Sequence, residues 1–547
     1  MPSRSPPHEA EEFDYVVVGG GAAGCVLAAR LSEDPGVTVC LLEAGPVDRS
    51  PFMKIPAGFI RVFSNPAYIW PFASEPTDMT AGRAIPMQQG RVLGGSSSIN
   101  GMIYVRGQPA DYDEWAALGN HGWDHAGVLP YFRKSETWLG ADPDGVRGRE
   151  GPAVISPMDW SHPLSDAFFE AAEEQGYPEN PDYNGASQEG VGYCQRFIHR
   201  GMRMSATRAF LNPARKRSNL SILTRAEARR VLLRERRAFG VAYALGGDRT
   251  SERIVRARRE VVLTAGAINT PKLLLLSGIG DATALARLGI DVEQSLPGVG
   301  QRLRDHYYAR LVARVRGVKS INEASRGPAL LAEIAKWTLG KPSILSLTPS
   351  LIHIFARSRP ELNRPDLQGV FAPASFQQGS KRVLDRHPGM TFGFWQHQPA
   401  SSGLVALRSA DPIAAPFVQP NYLEAESDRV AMVAALKLAR RILTSKAFEK
   451  YAPIELLPGP ECRSDDELLD FAKRNGNSSW HLNGTAAMGP AEDPAAVVSS
   501  RLSVHGVAGL RVADASVMPT SPSANTYAPT LMIAERAADF IRYPDRS

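Results

Sequence analysis

An α/β fold is predicted by three stretches of this 547-residue chain. Residues 14–43, DYVVVGGGAAGCVLAARLSEDPGVTVCLLE, read as strand, glycine turn, helix, strand and acid. Residues 266–280, GAINTPKLLLLSGIG, read as a second glycine turn entering an apolar helix. Between 311 and 480, alternating apolar and polar runs point instead to antiparallel strands backed by helices. The expected architecture is therefore a discontinuous Rossmann-like nucleotide-binding domain with a second, antiparallel-sheet α+β domain as the substrate-side wall. The first takes residues 13–158, 206–310 and 481–547; the second takes 159–205 and 311–480; residues 1–12 are expected as a disordered tail.

The first stretch is specific because its parts occur together. Tyr15 to Val18 is a β-branched apolar run, a buried strand by composition. Gly19, Gly21 and Gly24 supply G-x-G-x-x-G. Gly19 permits a tight turn, Gly21 lets a pyrophosphate approach the backbone, and Gly24 lets helix and strand pack closely. Ala23 to Leu31 carries helical spacing, and the helix N-terminus, with Ala22 and Ala23 as cofactor-binding candidates, offers free N–H groups to phosphate. Val37 to Leu42 is the second strand. Glu43 follows 19 residues after Gly24, where a carboxylate can accept from a ribose diol. An acid there disfavours a 2′-phosphate, so the ligand is FAD or NAD rather than NADP.

Residues 44–86 read as an irregular excursion over the ligand. Residues 90–104, GRVLGGSSSINGMIY, then form a second glycine-rich turn whose N–H and hydroxyl groups suit a phosphate. Residues 112–134 carry helical turns, with Trp115 and Trp123 read as surface packing. Pro163 to Gly176 is an amphipathic helix. Residues 220–231 and 234–245 read as strand, turn and strand. Glu260 to Ala265 is a buried strand of the same parallel sheet as the first unit. Strands are expected at 351–355, 391–396 and 403–407, and helices at 431–443, 465–475 and 530–541.

Composition narrows the classes. Hydrophobic residues make up 43% and charged residues 22%, with a net charge of +5, an ordinary balance for a globular protein. The basic residues are scattered, so nucleic acid is not implied. The four cysteines show no metal-ligand spacing and no disulfide framework. The N-terminus, MPSRSPPHEAEE, lacks an apolar core, and no run is long enough to span a membrane. A reducing, cytoplasmic setting is expected; the sequence leaves the oligomeric state open.

With these segments in place, the sequence resembles the glucose–methanol–choline (GMC) oxidoreductases. The resemblance is carried by residues 14–43, 90–104 and 266–280 and by the C-terminal HLNGT…MG and Asn525 segments, and covers nearly the whole chain. One departure is Arg302 within PGVGQRLRDH, residues 297–306, where the family has asparagine; no role is assigned to that segment. The resemblance implies FAD-dependent alcohol oxidation, with His481 and Asn525 as the catalytic pair. Neutral imidazole can take the hydroxyl proton near pH 7, and an amide can hold the alcohol oxygen.

It also implies a set of cofactor contacts. These are Arg91, Gly94, Gly95, Ser96 and Ser97 toward the pyrophosphate, Asn100, Gly101, Met102 and Trp480 near the flavin, and Ala228 at the adenine. Ala265, Gly266, Asp514, Ala515 and Thr526 complete them. Some members link FAD covalently through a histidine directly before this asparagine; Ile99 stands there, so non-covalent FAD is expected. Trp480 beside His481 is similar to 5-hydroxymethylfurfural and aryl-alcohol oxidases. Met102, Phe371, Trp395 and Trp480 are the candidate pocket walls, suited to furanic, benzylic or allylic primary alcohols. The acceptor is read as O2, giving hydrogen peroxide. The alternatives are a choline-type dehydrogenase using a quinone or other acceptor, a non-redox lyase resembling hydroxynitrile lyases, and a light-driven decarboxylase.

Overall fold

A computed structural model describes residues 11–248, 251–377 and 383–545. The expected tail at 1–12 lies outside them as far as residue 10, and its last two residues are a correction. Strand β1 spans Glu11–Val18, with Glu11 and Glu12 paired to Val255 and Arg256. Helix α1 (Ala22–Leu31) and strand β2 (Val39–Glu43) complete the unit read from the sequence.

β1 lies between β2 and the long strand Arg253–Leu263, parallel to both. Leu220–Thr224 adds outside β2, and Leu510–Val512 pairs the far end of Arg253–Leu263, again in parallel. Two antiparallel strands, Arg237–Leu245 and Ala226–Arg234, finish this seven-stranded sheet. The central runs Tyr15–Val18 and Val39–Leu42 are buried throughout, so they read as unbroken apolar runs rather than alternations. α1 is covered on its other side by the C-terminal helix Tyr527–Arg542; Cys25, Val26, Leu27 and Ala28 are all at 0% exposure. A guanidinium–carboxylate pair from Arg30 to the enclosed Glu535, at 2.8 Å, pins the two helices.

The close approach attributed to Gly24 is literal. A Cβ there would sit 1.9 Å from the Gly19 carbonyl oxygen and 2.9 Å from Thr264 Oγ1. Both obstacles are rigid, so Gly24→Ala is expected to cost about 3 kcal/mol or more and to lower the calorimetric unfolding midpoint. An unchanged midpoint would show that the turn moves aside.

The second sheet has seven strands and is antiparallel throughout. Its order is Ile454–Leu457, Tyr307–Arg314, Gly389–Gln396, Leu367–Ala372, Ile352–Ala356 and Gly190–Tyr193, with Asn477–Ser478 also on Tyr307–Arg314. One face packs on helices Pro163–Glu174 and Glu426–Leu443. Its strand Tyr307–Arg314 crosses the domain boundary expected at 310. The run 403–407 is not part of it: Leu404–Ala406 forms a separate ribbon with Phe417–Gln419. Trp115 and Trp123, read as surface residues, are both at 0% exposure. Their indole N–H groups reach Thr520 Oγ1 and the Ser500 carbonyl, at 3.1 and 2.7 Å. Among the described residues, no helix is long and apolar enough to cross a membrane, and no cluster of His, Cys, Asp or Glu is placed to hold a metal.

Candidate active site

A cavity of about 640 Å3 runs between the two sheets, from the end of β2 to the outer face of the antiparallel sheet. Its first half is built by the glycine turns. Gly94 N–H donates to the Gly20 carbonyl at 2.7 Å, and a Cβ on Gly95 would lie 2.7 Å from Gly21 Cα. The two turns therefore touch, and their backbones form one wall. Gly19, Gly21, Ala22, Ala23, Glu43, Gly95, Ser96, Ser97, Ala228, Ala265 and Gly266 line this half. Gly24 and Gly94 stand behind the wall as packing and tying residues.

Glu43 is 5% exposed, and its two oxygens accept from Gly20 N–H at 2.9 Å and Gly45 N–H at 2.7 Å. Burial pushes its carboxyl up to about 7. Each oxygen keeps a lone pair for a further donor, and hydroxyl groups arriving there favour the ionised form. Asp514 joins Gly266 N–H and Thr270 Oγ1 through one oxygen and Ser516 through the other, at 2.6 to 2.8 Å. It thereby fixes the second glycine turn against the Ala515 segment.

Several expectations are corrected here. Arg91 does not line the cavity; it pairs with Glu227 at 3.2 Å and lies 4.7 Å above the Trp70 ring. The serine hydroxyls are spent inside the protein. Ser97 Oγ bridges the Gly94 carbonyl and Ala206 N–H, and Ser96 Oγ bridges Gln89 and Gly90 N–H. This turn consequently presents backbone. Phe371 belongs to the second core, stacked 4.6 Å from Phe168. The reason is strand parity: Gln368, Val370 and Ala372 occupy the site-facing positions of Leu367–Ala372, and Phe371 points to the helices.

The far half is lined by Asn100, Gly101, Met102, Trp395, Trp480, His481, Asn525 and Thr526. Met102 and Trp480 have φ of +59° and +60°. Left-handed backbone is costly for such side chains and persists where neighbours enforce it. At Trp480 they are identifiable: Ser478 Oγ accepts its N–H at 2.8 Å, and Asp305 Oδ1 accepts the N–H of His481 at 2.7 Å. Burial holds Asp305 up to about 6, which leaves it ionised at neutral pH. Asn100 Oδ1 accepts from Arg203, a buried guanidinium with no carboxylate partner among the described residues, which also reaches the Ser97 and Met53 carbonyls.

Hydrogen-bond roles fix the tautomer of His481. His306 Nε2 lies 2.6 Å from the His397 carbonyl, which only accepts, so Nε2 carries the hydrogen. Burial lowers His306 to about 4, so it is neutral and its Nδ1 bears a lone pair. His481 Nδ1, 2.9 Å away, must donate to it. The lone pair of His481 is therefore on Nε2, 2.9 Å from the Asn525 side-chain amide Nδ2. Gln368 Nε2 in turn donates to Asn525 Oδ1 at 3.1 Å, which sets the amide with its N–H toward His481. Burial first, then the neighbouring imidazoles, holds His481 well below its ordinary value. The arrangement is a neutral base with its lone pair at the cavity wall and an amide donor beside it, able to take a proton from a hydroxyl and hold its oxygen.

Sequence reasoning missed His306, Asp305, His397 and Gln368. Asp305 and His306 end the segment 297–306 to which no role was assigned. Arg302 in that segment pairs with Asp493 at 3.2 Å, away from the chemistry.

The donor set fits a dinucleotide: a carboxylate at one end of a long cavity, two glycine-walled turns along it, and a base with an amide at the other. Glu43→Ala is expected to weaken flavin retention by about 10-fold or more, the worth of a hydrogen bond to a charged group. The turnover of fully loaded protein should remain near its starting value. Titration of the flavin-free protein measures this, and undiminished affinity would remove Glu43 from the ribose site.

Two family profiles, both described as GMC oxidoreductase, match residues 13–308 and 399–534. The chain is 40% identical over 537 residues to an oxygen-dependent choline dehydrogenase of Staphylococcus aureus, covering 97% of this chain and 94% of that one. Among solved structures, pyridoxine 4-oxidase from Mesorbium loti matches with a TM-score of 0.87 at 31% identity, over 98% of this chain and 100% of that one. A fungal aryl-alcohol oxidase matches with a TM-score of 0.82 at 26% identity, over 97% and 99%.

Proposed function

The chain belongs to the GMC oxidoreductase family, a flavoprotein family acting on CH–OH groups, and from that premise we propose that it oxidises a furanic, benzylic or allylic primary alcohol to the aldehyde. The observation that carries the reading is the 2.9 Å contact between Asn525 Nδ2 and His481 Nε2. A hydroxyl inserted there donates to Nε2 and accepts from Nδ2. His481 takes the proton at Nε2; Asn525 stabilises the charge that grows on oxygen. Bound FAD supplies the hydride acceptor at N5. Trp395 and Trp480 bound the reacting end: the Trp395 ring lies 5.9 Å from His481, and Trp480 packs edge-on against Phe63 at 4.5 Å. These walls favour a flat, unsaturated body next to the carbinol.

The cofactor is held without a covalent bond in this proposal, because Ile99 is 2% exposed in an aliphatic cluster and has no nucleophile. Acid precipitation should release the yellow chromophore into the supernatant; flavin retained in the pellet would overturn that point. The acceptor is O2, reduced to hydrogen peroxide. A second reading, a dehydrogenase using another acceptor, has the support of the choline dehydrogenase relatives.

One experiment separates these. Purified protein is mixed anaerobically with hydroxymethylfurfural, benzyl alcohol, cinnamyl alcohol or choline, and then exposed to air. Bleaching followed by rapid recovery with peroxide release is the expected result. Bleaching that persists in air identifies the dehydrogenase, and no bleaching by any alcohol removes alcohol oxidation.

A further inference from the structure

The face of the antiparallel sheet over the cavity has a definite register. Tyr308 stands opposite Trp395, and Arg310 opposite Gly393, which on its other side faces Val370. Gly393 leaves the middle of this face open: a Cβ there would meet Val370 Cγ2 at 3.1 Å and Arg310 Cγ at 3.9 Å. The stem of Arg310 thus lies over the sheet, and the residue lines the cavity.

The Arg310 side chain has no hydrogen bond or ion pair among the described residues. Other enclosed arginines do find anions or carbonyls: Arg147 meets Glu136 and Asp182 at 2.9 and 2.7 Å, and Arg440 meets Glu455 at 2.7 Å. The carboxylates along this cavity are Glu43, Glu227 and Asp514, all contributed by the nucleotide half; the antiparallel sheet contributes none. A second donor lies close by. Trp395 is 5% exposed, lines the cavity, and its Nε1–H is buried with no partner. A half-enclosed guanidinium and an unused indole N–H on an apolar wall leave donors without an acceptor, which is costly unless a ligand supplies one.

We infer that the alcohol accepted here carries an anionic group, a carboxylate in chemical class, held by Arg310 while its carbinol sits at His481 and Asn525. The inference rests on the alcohol-oxidation reading and deepens it. Trp395 contacts His481, and the Arg310–Gly393 pair is two residues further along its strand, roughly 7 Å at strand rise. That span matches a ring with the hydroxymethyl and carboxylate groups on opposite sides. The same geometry disfavours a quaternary ammonium such as choline, which would meet a like charge on a wall without an opposing carboxylate.

The test uses flavin-loaded protein with 4-(hydroxymethyl)benzoate, its methyl ester and choline, in wild type, Arg310→Gln and Arg310→Lys. Calorimetric titration with benzoate, which has no carbinol, runs in parallel. The expected ratio of kcat/KM for the carboxylate over the ester is about 10-fold or more in wild type, from the strength of a charge-assisted hydrogen bond. It should collapse toward unity in Arg310→Gln and survive in part in Arg310→Lys. Benzoate affinity should fall by a similar factor in Arg310→Gln alone. An ester oxidised as well as the carboxylate, or a preference that persists in Arg310→Gln, overturns the inference while leaving alcohol oxidation standing. Benzoate binding that depends on Arg310, with no alcohol oxidised in any arm, preserves the anion site and removes the alcohol-oxidation reading.

Discussion

His481→Ala should keep its flavin and lose on the order of 10²- to 10⁴-fold in kcat, the range for a lost general base. The size follows from the site, because among the described residues His481 is the imidazole that lines the cavity, with its Nε2 lone pair beside the Asn525 amide. Asn525 offers it a donor, and the other three imidazoles nearby, His306, His353 and His397, are buried and held neutral by desolvation. The pH profile gives an independent check. His481 lies well below its ordinary value, so its basic form is already present at neutral pH, and acid removes it. The acid limb of kcat/KM in wild type should therefore fall below pH 6.5, with a level stretch above. A variant within a few-fold of wild type, or a limb centred above 6.5, would assign the base elsewhere.

The second large effect is expected at a residue that need not touch substrate. His306 accepts the Nδ1 hydrogen of His481 and so keeps the lone pair on Nε2. His306→Leu leaves that hydrogen without a partner in a buried place; the imidazole then shifts toward the tautomer that turns an N–H to the cavity. We expect kcat to fall by about 10²-fold, the lower end of the general-base range, with KM for the alcohol changed far less. His306→Gln retains a carbonyl oxygen able to accept from Nδ1 and should recover part of the loss. Equal activity in the two variants would reduce His306 to packing, and a loss seen only in KM would contradict the tautomer argument.

The contrast between His481 and His306 shows what the chain discloses as text. The nucleotide unit is legible because it is local: strand, turn, helix and acid fall within residues 14–43, and α1 has the glycine it needs at position 24. His481 and Asn525 are legible through the short family motifs in which they stand. The residues that set their protonation and orientation are not, because they converge from separate strands. Asp305 and His306 end a loop, Gln368 sits in a strand whose Gly369 breaks the apolar alternation, and His397 follows Gly389–Gln396. Missing Leu367–Ala372 also explains Phe371, since without the strand there is no parity to tell its core face from its cavity face. The burial of Trp115 and Trp123 has an equally distant cause: Trp115 sits in the short helix Pro109–Ala117 and Trp123 in the turn before His125–Ser135, and C-terminal residues Ser500, Thr520 and Phe540 pack over them.

The four enclosed imidazoles also limit how the protein can be handled. His306 and His353 are held down to about 4 and about 3, and His397 and His481 lie well below 6.5. An unfolded chain titrates them near 6.5, so below that pH it binds protons that the folded one refuses. Their stabilisation is complete above 6.5 and drains away as the solution is acidified, by about 1.4 kcal/mol per pH unit for each ring. Asp305 and Glu43, held up to about 6 and about 7, and Asp48 and Asp111, also raised by burial, pull the other way over part of that range, but desolvation lowers His125, His162 and His199 as well, so the imidazoles outnumber them. Acid storage, low-pH elution and mildly acidic reactors should each shorten the protein's working life, and a buffer kept above pH 7 should preserve it.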